Sequence, residues 1–245
     1  MTDLHTHILP HMDDGAPDTA VSLKMLRMEV EQGVTGVALT PHFYRNRETP
    51  ERFLSRRQAA WERLSGAMAE EPGPFPELVL GAEVAWMPNM DQWGDLEALC
   101  LGGSRCLLLE LPFAPWSGNM IDQLYNLLGR GAVTPVLAHL ERYLRTQKKE
   151  HIRELYRMNI PIQLSAGCLL GAVDRWRMLR LLRSGGSFLL ATDCHGTERR
   201  KPDLGPAVTA VKKRMADGEL EALLSRSDEI FSAARGEQER EDAEK

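Results

Sequence analysis

Met1-Thr2-Asp3-Leu4-His5-Thr6-His7 opens the chain and decides how the rest is read. Side chains of an extended segment alternate with a period of two, so His5 and His7 face the same side. A lone His-x-His pair would be weak evidence. Here the later apolar runs also end on, or just before, residues able to hold a cation: Asp14, His42, Glu83, Glu110, His139, Asp193 and His195. Strands are expected near 2–4, 34–39, 78–82, 106–110, 135–138, 162–164 and 188–191. Between them, apolar residues recur three and four apart, the spacing of amphipathic helices.

One helix is expected over 18–32, with Val21, Met25 and Met28 on its buried face and Gly33 as its stop. A second has Thr49 as N-cap and Pro50 in the first helical position, and buries Leu54, Trp61, Leu64 and Met68. Others are expected near 119–128, 148–158, 173–182 and 207–215. Strand–helix alternation repeated about seven times gives a parallel sheet, and the absence of a linker favours one closed α/β barrel of the TIM type. Glu71-Pro72-Gly73-Pro74-Phe75-Pro76 is the sharpest break, but it is short enough to be a helix-to-strand loop. A single domain over 1–235 is therefore expected, followed by an acidic, flexible tail over 236–245.

The 245 residues carry a formal charge of −5, with 43% hydrophobic and 27% charged residues. That balance is ordinary for a soluble globular chain and argues against nucleic acid as an electrostatic partner. Cys100, Cys106, Cys168 and Cys194 fit neither a disulfide framework nor a Cys-x-x-Cys zinc site, which suits a reducing compartment. No apolar run reaches the roughly 20 residues that span a bilayer. The polar His-x-His segment also stands where a signal peptide would have its apolar stretch. A cytoplasmic protein without membrane insertion is expected, and an oligomer is compatible with the sequence.

In β/α barrels the active site is built at the carboxyl ends of the strands. On that plan the nine residues His5, His7, Asp14, His42, Glu83, Glu110, His139, Asp193 and His195 converge on one rim. Imidazole and carboxylate without thiolate suit Mn²⁺, Fe²⁺ or Zn²⁺ better than Ca²⁺ or a structural zinc. Nine ligands are too many for one ion. Divided among three, they leave positions open for water and substrate, and a carboxylate such as Glu83 can bridge two ions roughly 3.5–4 Å apart. The bland alternative must supply a separate partner for every one of these groups, because an uncompensated buried charge costs several kcal/mol. His11 and His151 fit no strand end.

Arg142, three residues beyond His139, and Arg199 and Arg200, after His195, add cationic forks suited to phosphate oxygens. A denser run, Arg45, Arg47, Arg52, Arg56, Arg57 and Arg63, is interleaved with Glu48, Glu51 and Glu62 and reads as a solvated helix face. Cys194 and Arg200 match Cys-x5-Arg, the spacing of cysteine-dependent tyrosine phosphatases. That chemistry needs a low-pKa thiolate in an amide-rich loop, whereas Asp193 beside Cys194 would raise its pKa. Metal-assisted hydrolysis of a phosphomonoester is the reading these groups support.

Several segments together resemble the polymerase and histidinol phosphatase (PHP) superfamily. They are Asp3-Leu4-His5-Thr6-His7-Ile8-Leu9-Pro10, Met12-Asp13-Asp14-Gly15-Ala16, Ala38-Leu39-Thr40-Pro41-His42 and Leu80-Gly81-Ala82-Glu83. Leu109-Glu110-Leu111-Pro112, Ala138-His139-Leu140-Glu141-Arg142-Tyr143 and Ala191-Thr192-Asp193-Cys194-His195 continue the match, which covers roughly residues 1–230. Within the superfamily the chain is most similar to the bacterial metal-dependent protein-tyrosine phosphatases of capsule and exopolysaccharide biosynthesis. The resemblance implies a distorted seven-stranded β/α barrel with three divalent ions, manganese expected and iron or zinc as alternatives. It also implies a phosphotyrosine protein substrate, typically a tyrosine autokinase that controls polysaccharide export. Carried over by position, the nine residues are the metal ligands, and Arg142 and Arg200 bind phosphate. The segment after His195 departs from the usual Arg-Pro-Pro-like pattern, reading Arg199-Arg200-Lys201-Pro202, so Arg199 and Arg200 compete for that role. A small-molecule phosphatase of the same superfamily, such as a histidinol-phosphatase, and a catalytically silent scaffold are the alternatives.

Overall fold

Strand pairing is parallel throughout the described residues, as a chain that returns each strand through a helix requires. The computed structural model describes the backbone of residues 1–243 and the side chains of 1–216 and 218–236. β1 (Thr2–Thr6), β2 (Gly36–Leu39) and β4 (Glu77–Leu80) form a three-stranded sheet in that order. A six-stranded sheet runs β3 (His42–Phe43), β5 (Glu83–Ala85), β6 (Cys106–Glu110), β7 (Thr134–Leu137), β8 (Pro161–Ser165) and β9 (Ser187–Ala191). The two sheets meet where Thr6 bridges Cys194 in parallel, with Asp193 N donating to His5 O at 2.8 Å and His7 N to Cys194 O at 2.9 Å.

The runs expected near 34–39 and 78–82 form β2 and β4, and each is followed, beyond the expected bounds, by a short strand, β3 or β5, that belongs to the other sheet. Pro41 cannot donate to a ladder. Gly81 is pressed so closely that a Cβ there would lie 2.6 Å from Leu101 Cδ2. His42 and Glu83 thus open strands of their own and face each other in register.

The helices follow local signals. In α1 (Thr19–Glu31) Asp18 caps the N-terminus by accepting from Val21 N at 2.8 Å. Its end is set by Gly33 at φ +81°, with Gly33 N bonding Val30 O and Val34 N bonding Glu29 O. α2 (Pro50–Glu70) begins at the expected Thr49 cap. Of the expected stripe Leu64 is buried, while Leu54, Trp61 and Met68 are only partly covered and Phe53 and Ala60, each one residue earlier than an expected position, are buried instead. α3 (Gly118–Arg130), α4 (Lys149–Arg157), α5 (Ala172–Leu182) and α6 (Leu204–Lys212) fall close to their expected places.

α7 (Asp217–Ala243) was not foreseen. It packs on β1, β2, β4 and β9, and Phe231 lies so close to Gly36 that a Cβ there would be 2.7 Å from its ring. The main core fills the space between sheets and helices. A second core gathers Leu4, Ala38, Val79, Leu108, Val136 and Leu189 from six strands with Ile230, Phe231 and Ala234 of α7. The stretch 236–245, expected as a flexible tail, ends outside the described residues. No described helix is long and apolar enough to cross a membrane.

Candidate metal centre

His5 and His7 leave β1 on one face and their Nε2 atoms lie 3.2 Å apart. His5 Nε2 is also 3.2 Å from Glu83 Oε2 and 3.4 Å from Asp193 Oδ1. His7 Nε2 lies 3.3 and 3.5 Å from the same two oxygens. Nitrogen and oxygen donors gathered at such spacings are close enough to share a cation, and His5, His7 and Asp193 lie within ligand distance of one another. The four residues come from three different strand ends.

Glu83 faces a second group with its other oxygen. Oε1 lies 3.0 Å from His139 Nε2, which is 3.4 Å from Glu110 Oε1. A third group surrounds Asp14, whose Oδ1 is 3.5 Å from His42 Nε2 and 3.4 Å from His195 Nε2. His42 Nδ1 turns back to Glu83 Oε2 at 2.8 Å, joining this group to the first. All nine residues singled out in the sequence are therefore brought together at one mouth, and Glu83 stands in the middle of them. His11 and His151 belong to none of these groups.

The backbone is strained where it presents this set. His139, Asp193 and Arg200 have φ of 34°, 55° and 47°, which non-glycine residues rarely adopt. Buried Glu83 Oε2 and His195 Nε2 have polar neighbours but no well-directed hydrogen bond, a costly state for polar atoms unless something else satisfies them. All donors are nitrogen or oxygen. The arrangement fits divalent cations of the Mn, Fe or Zn kind.

The electrostatics agree. Burial alone would push Glu83 and Asp193 up, but the charge of His5 and the hydrogen bonds of the surrounding imidazoles hold both well below the usual carboxylate range. Burial opposes protonation of His7 and His139, yet their carboxylate neighbours win, lifting His7 well above its ordinary value and His139 to about 9. His195 moves the other way, down to about 4, through burial and the charge of His7. Every acid in the centre is matched by an imidazole or a guanidinium.

Arginines flank the centre on both sides of Asp193. Arg142 Nη2 bonds Oδ2, and Arg200 Nη2 bonds Oδ1 at 2.7 Å, with Arg200 Nη1 3.9 Å from Asp14 Oδ2. Both Arg199 and Arg200 are exposed, and it is Arg200 whose guanidinium turns in to bond Asp193. Cys194 is fully buried, and burial with the nearby acid Glu29 pushes its thiol well above the ordinary value. A buried thiol that holds its proton in this way is poorly suited to act as a nucleophilic thiolate.

Two supporting residues escaped the sequence reading. Asp13 Oδ2 lies 2.7 Å from His7 Nδ1 and accepts from His42 N at 2.8 Å, while Oδ1 accepts from Gly15 N at 2.9 Å. A carboxylate behind a ligand imidazole fixes its tautomer and points Nε2 inward. Gln163, on β8, does the same for the other side: Oε1 lies 3.3 Å from His5 Nδ1 and accepts from His139 N. A polar residue between Ile162 and Leu164 on a buried strand was the available signal. The arginine run on α2 is also not a purely solvated face. Arg56 Nη2 donates to Met12 O at 2.8 Å, and Arg57 Nη1 to Gly81 O at 2.8 Å, bracing the loops that carry Asp14 and Glu83.

Known proteins share this architecture. Tyrosine-protein phosphatase YwqE of Bacillus subtilis (strain 168) is 29% identical over 240 residues, 94% of this chain and 91% of its own. Tyrosine-protein phosphatase CpsB of Streptococcus agalactiae serotype V is 25% identical over 218 residues, 84% of this chain and 88% of its own. Among solved structures, a chain from the crystal structures of YwqE from Bacillus subtilis and CpsB from Streptococcus pneumoniae, described as unique metal-dependent tyrosine phosphatases, is similar at a TM-score of 0.81. It is 26% identical, with 95% of each chain covered. The family model for capsular polysaccharide synthesis, CpsB/CapC, matches residues 1–231, and the chain therefore belongs to the CpsB/CapC family.

Proposed function

We propose that this chain is a metal-dependent protein-tyrosine phosphatase, acting on phosphotyrosine of a tyrosine autokinase in capsule or exopolysaccharide synthesis, in the cytoplasm. The observation that carries the reading is Glu83, whose two oxygens face two separate donor groups at one mouth. His5, His7, Glu83 and Asp193 would hold one ion, Glu83, Glu110 and His139 a second, and Asp14, His42 and His195 a third. Manganese is the expected metal, with iron or zinc as alternatives. When bound, such ions supply Lewis acidity and bring a water's pKa toward neutrality.

The chain's own groups do the rest. Four carboxylates against three divalent ions leave a surplus of about two positive charges, which meets a phosphomonoester dianion. Arg142 and Arg200 present planar forks to the phosphate oxygens, where charge gathers as the ester breaks. A phenol of pKa roughly 10 leaves more readily than an alkyl alcohol, so no general acid is assigned.

The same reading rolls the two parallel sheets into one distorted seven-stranded barrel. β2 with β3 and β4 with β5 each count as a single strand, the Thr6–Cys194 bridge joins the ends, and the second core fills the inside. The functional test is to strip the metals with chelator and assay a tyrosine-phosphorylated peptide beside histidinol phosphate. Activity lost and then regained with Mn²⁺, Fe²⁺ or Co²⁺, with the peptide preferred, is expected. Full activity in the stripped protein contradicts the metal reading, and preference for histidinol phosphate contradicts the protein substrate.

A further inference from the structure

The loop after β6 holds an aromatic ring outside the core at the edge of the metal centre. Phe113 is 54% exposed, three residues beyond Glu110. Its ring is stacked on the imidazole of His139, with 9° between planes and 6.3 Å between centroids, and lies 5.4 Å from the ring of Tyr143. A phenylalanine left in water forgoes the stabilisation that burial would give it. This exposure is enforced by the loop.

Buried Gln147 donates to Ala114 O at 3.0 Å and Phe113 O at 3.4 Å, and accepts from Trp116 N at 2.8 Å. Buried Trp116 donates to Pro112 O at 2.9 Å, and the Tyr143 hydroxyl to Leu111 O at 2.8 Å. These anchors fix the loop backbone from Leu111 to Trp116. They bury one of its aromatic rings and leave the other outside. Tyr44, beside His42, is half-buried and already engaged, with Arg47 4.4 Å over its ring and the His42 ring at 5.3 Å. Phe113, with His139 and Tyr143 beside it, still leaves more than half of its surface open.

We propose that Phe113 is the specificity wall of this centre, stacking against the ring of a phosphorylated phenol and thereby favouring it over a phosphorylated aliphatic alcohol. The inference rests on the phosphatase reading above and names what selects its substrate. A phosphate seated among the donors puts a phenol ring at the rim, where an aromatic partner is available. An aliphatic phosphoester offers that partner nothing flat to cover. Offset or edge-on aromatic pairs have a modest worth that depends on the ring.

The test measures binding, not turnover. Dissociation constants of benzylphosphonate and ethylphosphonate are determined by calorimetry on the full metal-loaded chain, for wild type, Phe113→Ala, Phe113→Leu and Phe113→Tyr. Metal content is checked in each. Phe113→Ala and Phe113→Leu should weaken benzylphosphonate about tenfold and leave ethylphosphonate within about twofold, while Phe113→Tyr keeps both near wild type. Equal weakening of both ligands, or no change for benzylphosphonate, overturns the proposal. Turnover of a tyrosine-phosphorylated peptide by the wild type is run in parallel: its absence sinks the phosphatase reading, whereas the phosphonate pair judges Phe113 by itself.

Discussion

Two buried clusters of acids sit on the same face of β1 and behave in opposite ways. At the mouth, Glu83 and Asp193 lie among imidazoles and guanidiniums and keep their charge. Deeper, Asp3, Glu29 and Cys194 also come within ligand distance of one another. Among the described residues no imidazole or guanidinium bonds their side chains, although the charge of His5 reaches Asp3. Burial, reinforced by mutual repulsion, pushes Glu29 and Cys194 well above their ordinary values, and burial raises Asp3 despite its bonds from Thr192. Asp203, beside them, is pushed up to about 7, first by burial and then by Asp3. One region concentrates charge and the other holds protons. Metal-binding residue types at metal-binding distances are not enough: the balance of charge decides whether a cluster suits an ion.

The contrast breaks most visibly at Glu83. Glu83→Ala removes the one carboxylate shared by two donor groups, and kcat/KM on a tyrosine-phosphorylated peptide should fall about a thousandfold or more, with metal content falling too. Normal activity would show that the mouth is not the centre. Next in size is Arg142→Ala, expected to cost about a hundredfold in kcat/KM, with Arg142→Lys recovering only part because a point charge cannot replace a fork. Asp13→Asn keeps the fold but loses the carboxylate behind His7. Metal affinity measured by competition with a chelator should drop about ten- to a hundredfold. An unchanged affinity would make Asp13 a loop residue only.

The deeper cluster predicts smaller effects on stability. A carboxyl whose folded pKa is about 7 against an ordinary 3.8 holds its proton longer in the native state. Stability from that proton is present at low pH and is lost as pH rises through about 7. Asp203→Asn should therefore gain about 1 kcal/mol at pH 8 and nothing at pH 4, read by urea denaturation of the metal-stripped chain. A gain at pH 4 as large as at pH 8 would contradict this sign. Smallest of all is Cys194→Ser, which should leave turnover within about twofold, since the thiol lies outside the chemistry.

Much of the centre was legible because nearly every strand run ends in a residue of unmistakable chemistry, and nine of those residues meet. What stayed hidden has physical reasons. The breaks at Pro41 and Gly81 depend on close packing and on a missing N–H, which apolar patterning does not record. Asp13 was visible beside Asp14, but only the fold reveals that it turns back to His7. Gln163 acts across the fold on residues far away in sequence. α7 escaped because Leu223, Ile230, Phe231 and Ala234 make a short apolar line, interrupted by Ser227 and diluted by Ser, Arg and Glu. Similarly, Arg56 and Arg57 look like surface charges until their carbonyl partners are seen.

Anomalous scattering from crystals grown with Mn²⁺ tests the central claim most directly. The account predicts peaks around Glu83, one among His5, His7 and Asp193, one toward Glu110 and His139, and one by Asp14, His42 and His195, with none at Asp3, Glu29 and Cys194. Density confined to the deeper cluster, or no peak beside Glu83 in an active protein, would contradict it.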